Sequence, residues 1–158
     1  MRTQLLLVVL FLLAIALAAG TVSGGNTLMG IDLGSEFIKI CAAKKDNTID
    51  IVLNEQTRRK SNNYLGFRGD DRFFGEDARN LAARFPRNMF AMLNRIAGLS
   101  ATSDEDKAQR DFSTQEMEFP FILGEDPKRG SITLSVPSNP NVTYTVEELL
   151  AMMFTHLR

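Results

Sequence analysis

MGIDLGSEFIKICAA, residues 29 to 43, is two apolar runs joined by a tight polar elbow, Asp32-Leu33-Gly34-Ser35-Glu36. The runs predict strands over Leu28 to Asp32 and Phe37 to Ala43. The elbow then sets one carboxylate, one glycine and one hydroxyl side by side where the strands meet. A phosphate needs several N–H donors converging on it, and the backbone amides of a tight turn supply them where small residues permit close approach. Gly34 and Ser35 meet that need. Asp32, at a strand end, can hold a magnesium ion through water, because Mg²⁺ keeps much of its hydration. The same pattern also builds a hairpin that binds nothing, since Gly and Asp accept positive φ. On these residues alone both readings stand.

Upstream, Arg2 precedes the apolar run Leu5 to Ala18, and small residues follow at Ala18, Ala19 and Gly20. The run has the length of a secretory h-region and falls short of the roughly 20 residues that a membrane span needs. Residues 1–20 therefore read as a signal peptide and 21–27 as a flexible start to the mature chain, with no stable membrane span.

Downstream, Ile49 to Asn54 predicts a third strand, which completes an antiparallel meander, and Gln56 to Asn63 predicts a polar loop. Arg58-Arg59-Lys60 reads as a solvated part of it. Short strands are expected over Tyr64 to Phe67 and Arg72 to Phe74. Ala78, Leu81, Ala82 and Phe85 form one helical stripe that ends at Pro86. Met89, Leu93 and Ile96 repeat the helical spacing before Gly98. A helix start is expected at Ser103 to Asp106, and strands over Phe119 to Leu123, Ser131 to Val136 and Val142 to Tyr144, with Gly124 to Gly130 as a turn. Thr145 and Glu148 make a capping-box pattern. Val146, Leu149, Leu150, Met153 and Leu157 form the apolar face of the helix that follows, a face that needs a partner surface.

Composition narrows the chemistry. A formal charge of −1 over 158 residues gives no basic excess for nucleic acid. Cys41 is the single cysteine and His156 the single histidine. Internal disulfides and cysteine zinc motifs are thereby excluded, and histidine-dependent triads rest on one residue. Cys41 reads as a small core residue, and His156 as a helix-end residue suited to the dipole. Asn141-Val142-Thr143 is an N-glycosylation sequon, credible behind a signal peptide.

Four separated segments occur in a telling order: GIDLGSE at 30–36, IVLNEQTRRK at 51–60, FFGEDARNLAARFP at 73–86 and VEELLAM at 146–152. Together they resemble the seventy-kilodalton heat-shock chaperone family, and most of all its large endoplasmic-reticulum branch, over nearly all of residues 28–158. The resemblance implies an α/β fold: part of an actin-like (ribonuclease H-like) ATPase domain, with antiparallel opening hairpins and an inserted α/β subdomain. Residues 28–158 are expected to be the first, incomplete part of that nucleotide-binding domain, so the chain reads as an N-terminal piece.

Roles follow residue by residue from the resemblance. Asp32 would sit near Mg²⁺. Gly34, Ser35 and Glu36 would line the first phosphate loop for ATP or ADP, with Phe37 beside the nucleotide. Ser35 replaces a family threonine. Glu36 replaces a small hydroxyl residue, and its carboxylate would repel phosphate unless it points away. Arg79 stands where the family carries a catalytic lysine. Arginine keeps the charge but is bulkier and planar, so hydrolysis is expected to slow while binding survives. Ser61-Asn62-Asn63 departs from the family's Thr-Pro-Ser. The implied whole-protein role is an ATP-binding chaperone of the endoplasmic-reticulum lumen. Its partners would be unfolded polypeptides and a lumenal partner chaperone for which it exchanges nucleotide. The rival reading is a secreted, non-enzymatic α/β interaction module that docks through its last helix.

Overall fold

The computed structural model describes residues 28–44, 48–111 and 120–157. The leader-like segment and the flexible start lie outside them, as does Phe119. Among the described residues no helix is long and apolar enough to cross a membrane.

The opening hairpin forms as its pattern predicts. β1 (Leu28–Leu33) pairs antiparallel with β2 (Phe37–Ala43), in a register that sets Leu33 against Ile38 and Leu28 against Ala43. β3 (Ile49–Ile51) pairs with the far half of β2 and completes the meander. The third strand is shorter than its apolar run because Val52 to Asn54 turns away into the loop, where Asn54 Oδ1 accepts from the amides of Gln56 and Arg58. That loop is not wholly irregular. Ser61–Asn62 forms a short strand, β4, which sets Asn62 against Phe37 and Ser61 against Ile38. Polar residues conceal this pairing from a hydrophobic pattern, yet it ties the loop to the elbow end of β2.

A second antiparallel sheet has the order β6-β5-β7, from β6 (Asp71–Phe74), β5 (Tyr64–Arg68) and β7 (Met89–Ala91). β7 corrects the helix expected from Met89, Leu93 and Ile96. Met89, Phe90 and Ala91 are all buried and pair with β5, and an apolar run this short does not declare its period. Met92 then takes φ +54°, a left-handed conformation that costs an ordinary residue about 1–2 kcal/mol, and a 3₁₀ turn follows at Leu93–Arg95. Gly98 has φ +76°, the geometry that glycine takes at a chain reversal. The third sheet has the order β10-β9-β8, with β8 (Leu123–Glu125), β9 (Ile132–Ser135) and β10 (Thr143–Thr145). Gly124 and Glu125 thus belong to a strand, and the turn is confined to Asp126–Gly130, closed by Gly130 N–H donating to Asp126 O at 2.7 Å.

Three helices complete the description: α1 (Gly75–Ala82), α2 (Asp104–Asp111) and α3 (Val146–His156). α3 begins with a complete capping box. Thr145 Oγ1 accepts from Glu148 N–H at 3.2 Å, and Glu148 Oε2 accepts from Thr145 N–H at 2.8 Å. Its apolar face is not left free. Val146, Leu149 and Met153 bury into one core with Leu65 and Phe90 of the second sheet, Ile132 and Leu134 of the third, and Leu93 and Ile96 between them. At the other end of the helix, the His156 ring stacks on Phe74 with centroids 4.1 Å apart.

The first sheet meets this core at one end only. Ile38 is buried and Ile31 and Leu33 pack against the cluster, whereas Leu28 is 73% exposed and Ile49 71%. Cys41 is half-buried in the exposed half, opposite Gly30, rather than deep in the core. The anchored end is the one that carries the elbow, and core packing therefore fixes the elbow's position.

Candidate functional site

The elbow is held by bonds to its backbone. Gly34 N–H donates to Phe37 O at 3.0 Å and closes the turn. A Cβ on Gly34 would lie 2.7 Å from that same oxygen, so the turn admits only glycine without movement. Three residues from two segments distant in sequence bond to it. Asn63, fully buried, donates through Nδ2 to Gly34 O at 2.6 Å and through its amide N–H to Glu36 O at 2.8 Å. Asn94 donates through Nδ2 to Leu33 O at 3.4 Å. Arg95 donates through Nε to Ser35 Oγ at 2.8 Å. The carbonyls of Leu33 and Gly34 are thus taken by carboxamides, and that of Glu36 by a backbone N–H. Among the described residues, the amide groups of Ser35 and Glu36 donate to nothing.

These features suit a phosphoryl ligand. Two adjacent unpartnered amides and a serine hydroxyl lie on one short turn, and the Arg95 guanidinium reaches it from another, all of them groups that can donate. Asp32 heads the elbow and is exposed, with Lys39 Nζ 3.1 Å from its Oδ2. Exposed pairs of this kind are worth at most about 1 kcal/mol, so Asp32 is available to exchange Lys39 for a hydrated cation. Phe37 is half-buried and Lys60 Nζ lies over its ring, 3.7 Å from the centroid. Arg58 pairs with Glu76 at 3.5 Å. The basic run is therefore engaged at two of its three positions rather than wholly solvated.

Of the residues singled out in the sequence, Asp32, Gly34, Ser35, Glu36 and Phe37 are contiguous on the elbow. Arg79 stands apart on α1. Its side chain is exposed and, among the described residues, makes no hydrogen bond or ion pair. α1 is nonetheless tied to the elbow through its first turn, where Glu76 Oε2 accepts from Asn62 Nδ2 at 2.6 Å and Asn62 pairs with Phe37 in the sheet. Asn141 is exposed in the turn between β9 and β10. Asn63, Asn94 and Arg95 were not legible as elbow residues. Arg95 is 60 positions from Ser35, and only the fold brings them together. A cavity of about 300 Å³, lined by none of residues 32–37, lies between the Asn54–Gln56 loop, the start of α1 and the end of α3.

A family model described as Hsp70 protein matches residues 28–158. Hypoxia up-regulated protein 1 of Xenopus tropicalis is 31% identical in an alignment that covers 100% of this chain and 23% of that protein. The protein of the same name in Danio rerio is 29% identical, with 100% and 15% covered. Heat shock protein 70 homolog lhs1 of Schizosaccharomyces pombe is 30% identical over 83% of this chain and 15% of its own length. Antiparallel hairpins, a fixed glycine elbow and a mixed α/β core define the opening of an actin-like ATPase fold. The chain belongs to the Hsp70 protein family. It spans less than a quarter of the length of these relatives.

Proposed function

We propose that the elbow Asp32 to Glu36 is one wall of a nucleotide cleft, and that the chain serves an ATP-binding chaperone of the endoplasmic-reticulum lumen. The observation that carries the reading is the state of the elbow's polar groups. The carbonyls of Leu33, Gly34 and Glu36 accept from Asn94 and Asn63, while the amides of Ser35 and Glu36 and the Ser35 hydroxyl remain as donors. Such donors attract an anion, against which the elbow sets the carboxylates of Asp32 at its edge and of exposed Glu36.

Each residue has a task within that reading. Gly34 keeps the turn tight enough for the ligand to reach backbone. Ser35 and Glu36 donate their amide protons to phosphoryl oxygens, and Ser35 adds its hydroxyl. Asp32 orients water around Mg²⁺, which when bound neutralises phosphate charge. Phe37 offers a ring edge to the nucleotide, with Lys60 on one face. Arg79 takes the place of the family lysine and aligns an attacking water less well, because its charge is spread over a plane. Slow hydrolysis beside retained binding suits a protein that acts on a partner's nucleotide cycle. Unfolded polypeptides and a lumenal partner chaperone are the proposed partners of the whole protein.

Membership of the Hsp70 family supports chaperone work, and the leader-like residues 1–20 support entry into the secretory pathway. The sequon at Asn141 adds to this, since its turn is open enough to accept a glycan. Expressed in a secretory host, the protein gains mass that a peptide N-glycosidase removes, and Asn141→Gln abolishes that gain. An unshifted wild-type band counts against lumenal passage. The interaction-module reading loses its main feature, because the α3 face meant for a partner is occupied by the protein's own core.

Calorimetric titration with Mg·ATP tests the site. Asp32→Ala and Ser35→Ala are each expected to weaken binding about tenfold, the effect of one charge-assisted contact. Unchanged affinity in both variants rejects the elbow as the phosphate wall.

A further inference from the structure

Arg95 does more at the elbow than packing requires. It sits on the 3₁₀ turn Leu93–Arg95, whose apolar member Leu93 is the part held in the core. Its own side chain is exposed, yet Nε is fixed on Ser35 Oγ at 2.8 Å. Holding an exposed arginine in one rotamer costs side-chain entropy, and a single bond to a neutral hydroxyl recovers only part of that. Among the described residues no carboxylate pairs with Arg95, although Lys39, Lys44 and Arg58 each have one. Of the cations around the elbow, Lys39 is neutralised by Asp32, and Lys60 is placed over Phe37. Arg95 alone brings an uncompensated charge directly onto the elbow's hydroxyl.

The bond to Ser35 also sets directions. Nε is one of the five N–H donors of a guanidinium, so the two terminal nitrogens keep four, arranged as a planar fork that matches a phosphoryl group. Ser35 Oγ accepts from Nε, and its own proton is left to donate elsewhere. We propose that Arg95 is a phosphate-binding side chain of this elbow. Its terminal nitrogens take two oxygens of a phosphoryl group while Nε stays on Ser35. This rests on the elbow being a phosphate site and deepens that reading in one respect. It assigns the charge-bearing end of a nucleoside polyphosphate to the Ser35–Arg95 side, where the cation also offsets the repulsion that Glu36 introduces.

Titration of the wild-type chain, R95Q and R95K with Mg·ATP, adenosine and tripolyphosphate tests the assignment. R95Q is expected to bind Mg·ATP and tripolyphosphate roughly tenfold to a hundredfold more weakly and to leave adenosine unchanged. R95K recovers only part of the loss, because an ammonium keeps the charge but not the fork. If R95Q retains Mg·ATP affinity within about twofold of wild type, the role of Arg95 is overturned and the nucleotide reading stands. Tripolyphosphate binding that depends on Arg95, without any response to Mg·ATP, upholds Arg95 and rejects the nucleotide. Binding of neither ligand by wild type rejects both. A thermal melt of each variant separates unfolding from lost contact. Should R95Q not fold, the ratio of Mg·ATP to adenosine affinity in R95K decides, since a merely structural role leaves that ratio unmoved.

Discussion

A side chain at Gly34 has no room, because its Cβ would lie 2.7 Å from the Phe37 carbonyl oxygen that closes the elbow. Gly34→Ala therefore forces the turn open or moves Phe37 out of its pairing with Asn62. The expected cost is about 1–3 kcal/mol, the usual range for overpacking at a tight site, read as a lower urea midpoint with an unchanged slope. A midpoint equal to that of wild type would show that the elbow relaxes freely and is not a preformed cradle. At this scale the sequence was informative about Asp32, Gly34 and Ser35, because a glycine between a strand end and a hydroxyl limits what a turn can be. It was silent about Asn63. A buried asparagine that donates to the elbow through both its carboxamide and its backbone N–H looks, in a string of letters, like any other asparagine in a polar loop.

Among the elements, those with a physical punctuation mark were the ones read correctly. β1 and β2 were marked by their elbow, and α3 by Thr145 and Glu148. Thr145→Ala removes the side-chain half of the capping box and is expected to destabilise the protein by about 1 kcal/mol, measured by thermal or urea unfolding. A negligible change would mean that tertiary packing alone fixes where α3 begins. β7 carried no such mark. Its three buried residues fit a helical spacing as well as a strand, and pairing with β5 decides the matter through contacts more than twenty residues away. β4 was hidden for the opposite reason. Its residues are polar, and it exists because the edge of β2 next to the elbow accepts a partner there.

For the molecule as a whole, one core couples α3 to the second and third sheets and reaches the first sheet through Ile38. Leu149 is fully buried at the centre of that arrangement. Leu149→Ala should cost about 2–5 kcal/mol, a large share of the stability of a domain of this size. Loss of less than about 1 kcal/mol in chemical denaturation would show that the core collapses around the gap and that α3 is a loosely held appendage. The same connectivity explains why the site was only half legible. Residues contiguous in sequence could be read as a phosphate turn, but Asn94 and Arg95 reach that turn only because β7 pairs with β5 and the 3₁₀ turn after it packs against α3. The claim at the centre is that the elbow's free amides receive phosphate. Amide chemical shifts of the isotopically labelled protein, followed through a titration with Mg·ATP, test it most directly. Saturable shifts confined to Gly34, Ser35, Glu36 and their neighbours around Arg95 are the expected result, and an elbow that stays unmoved while the ligand shifts residues elsewhere would contradict the account.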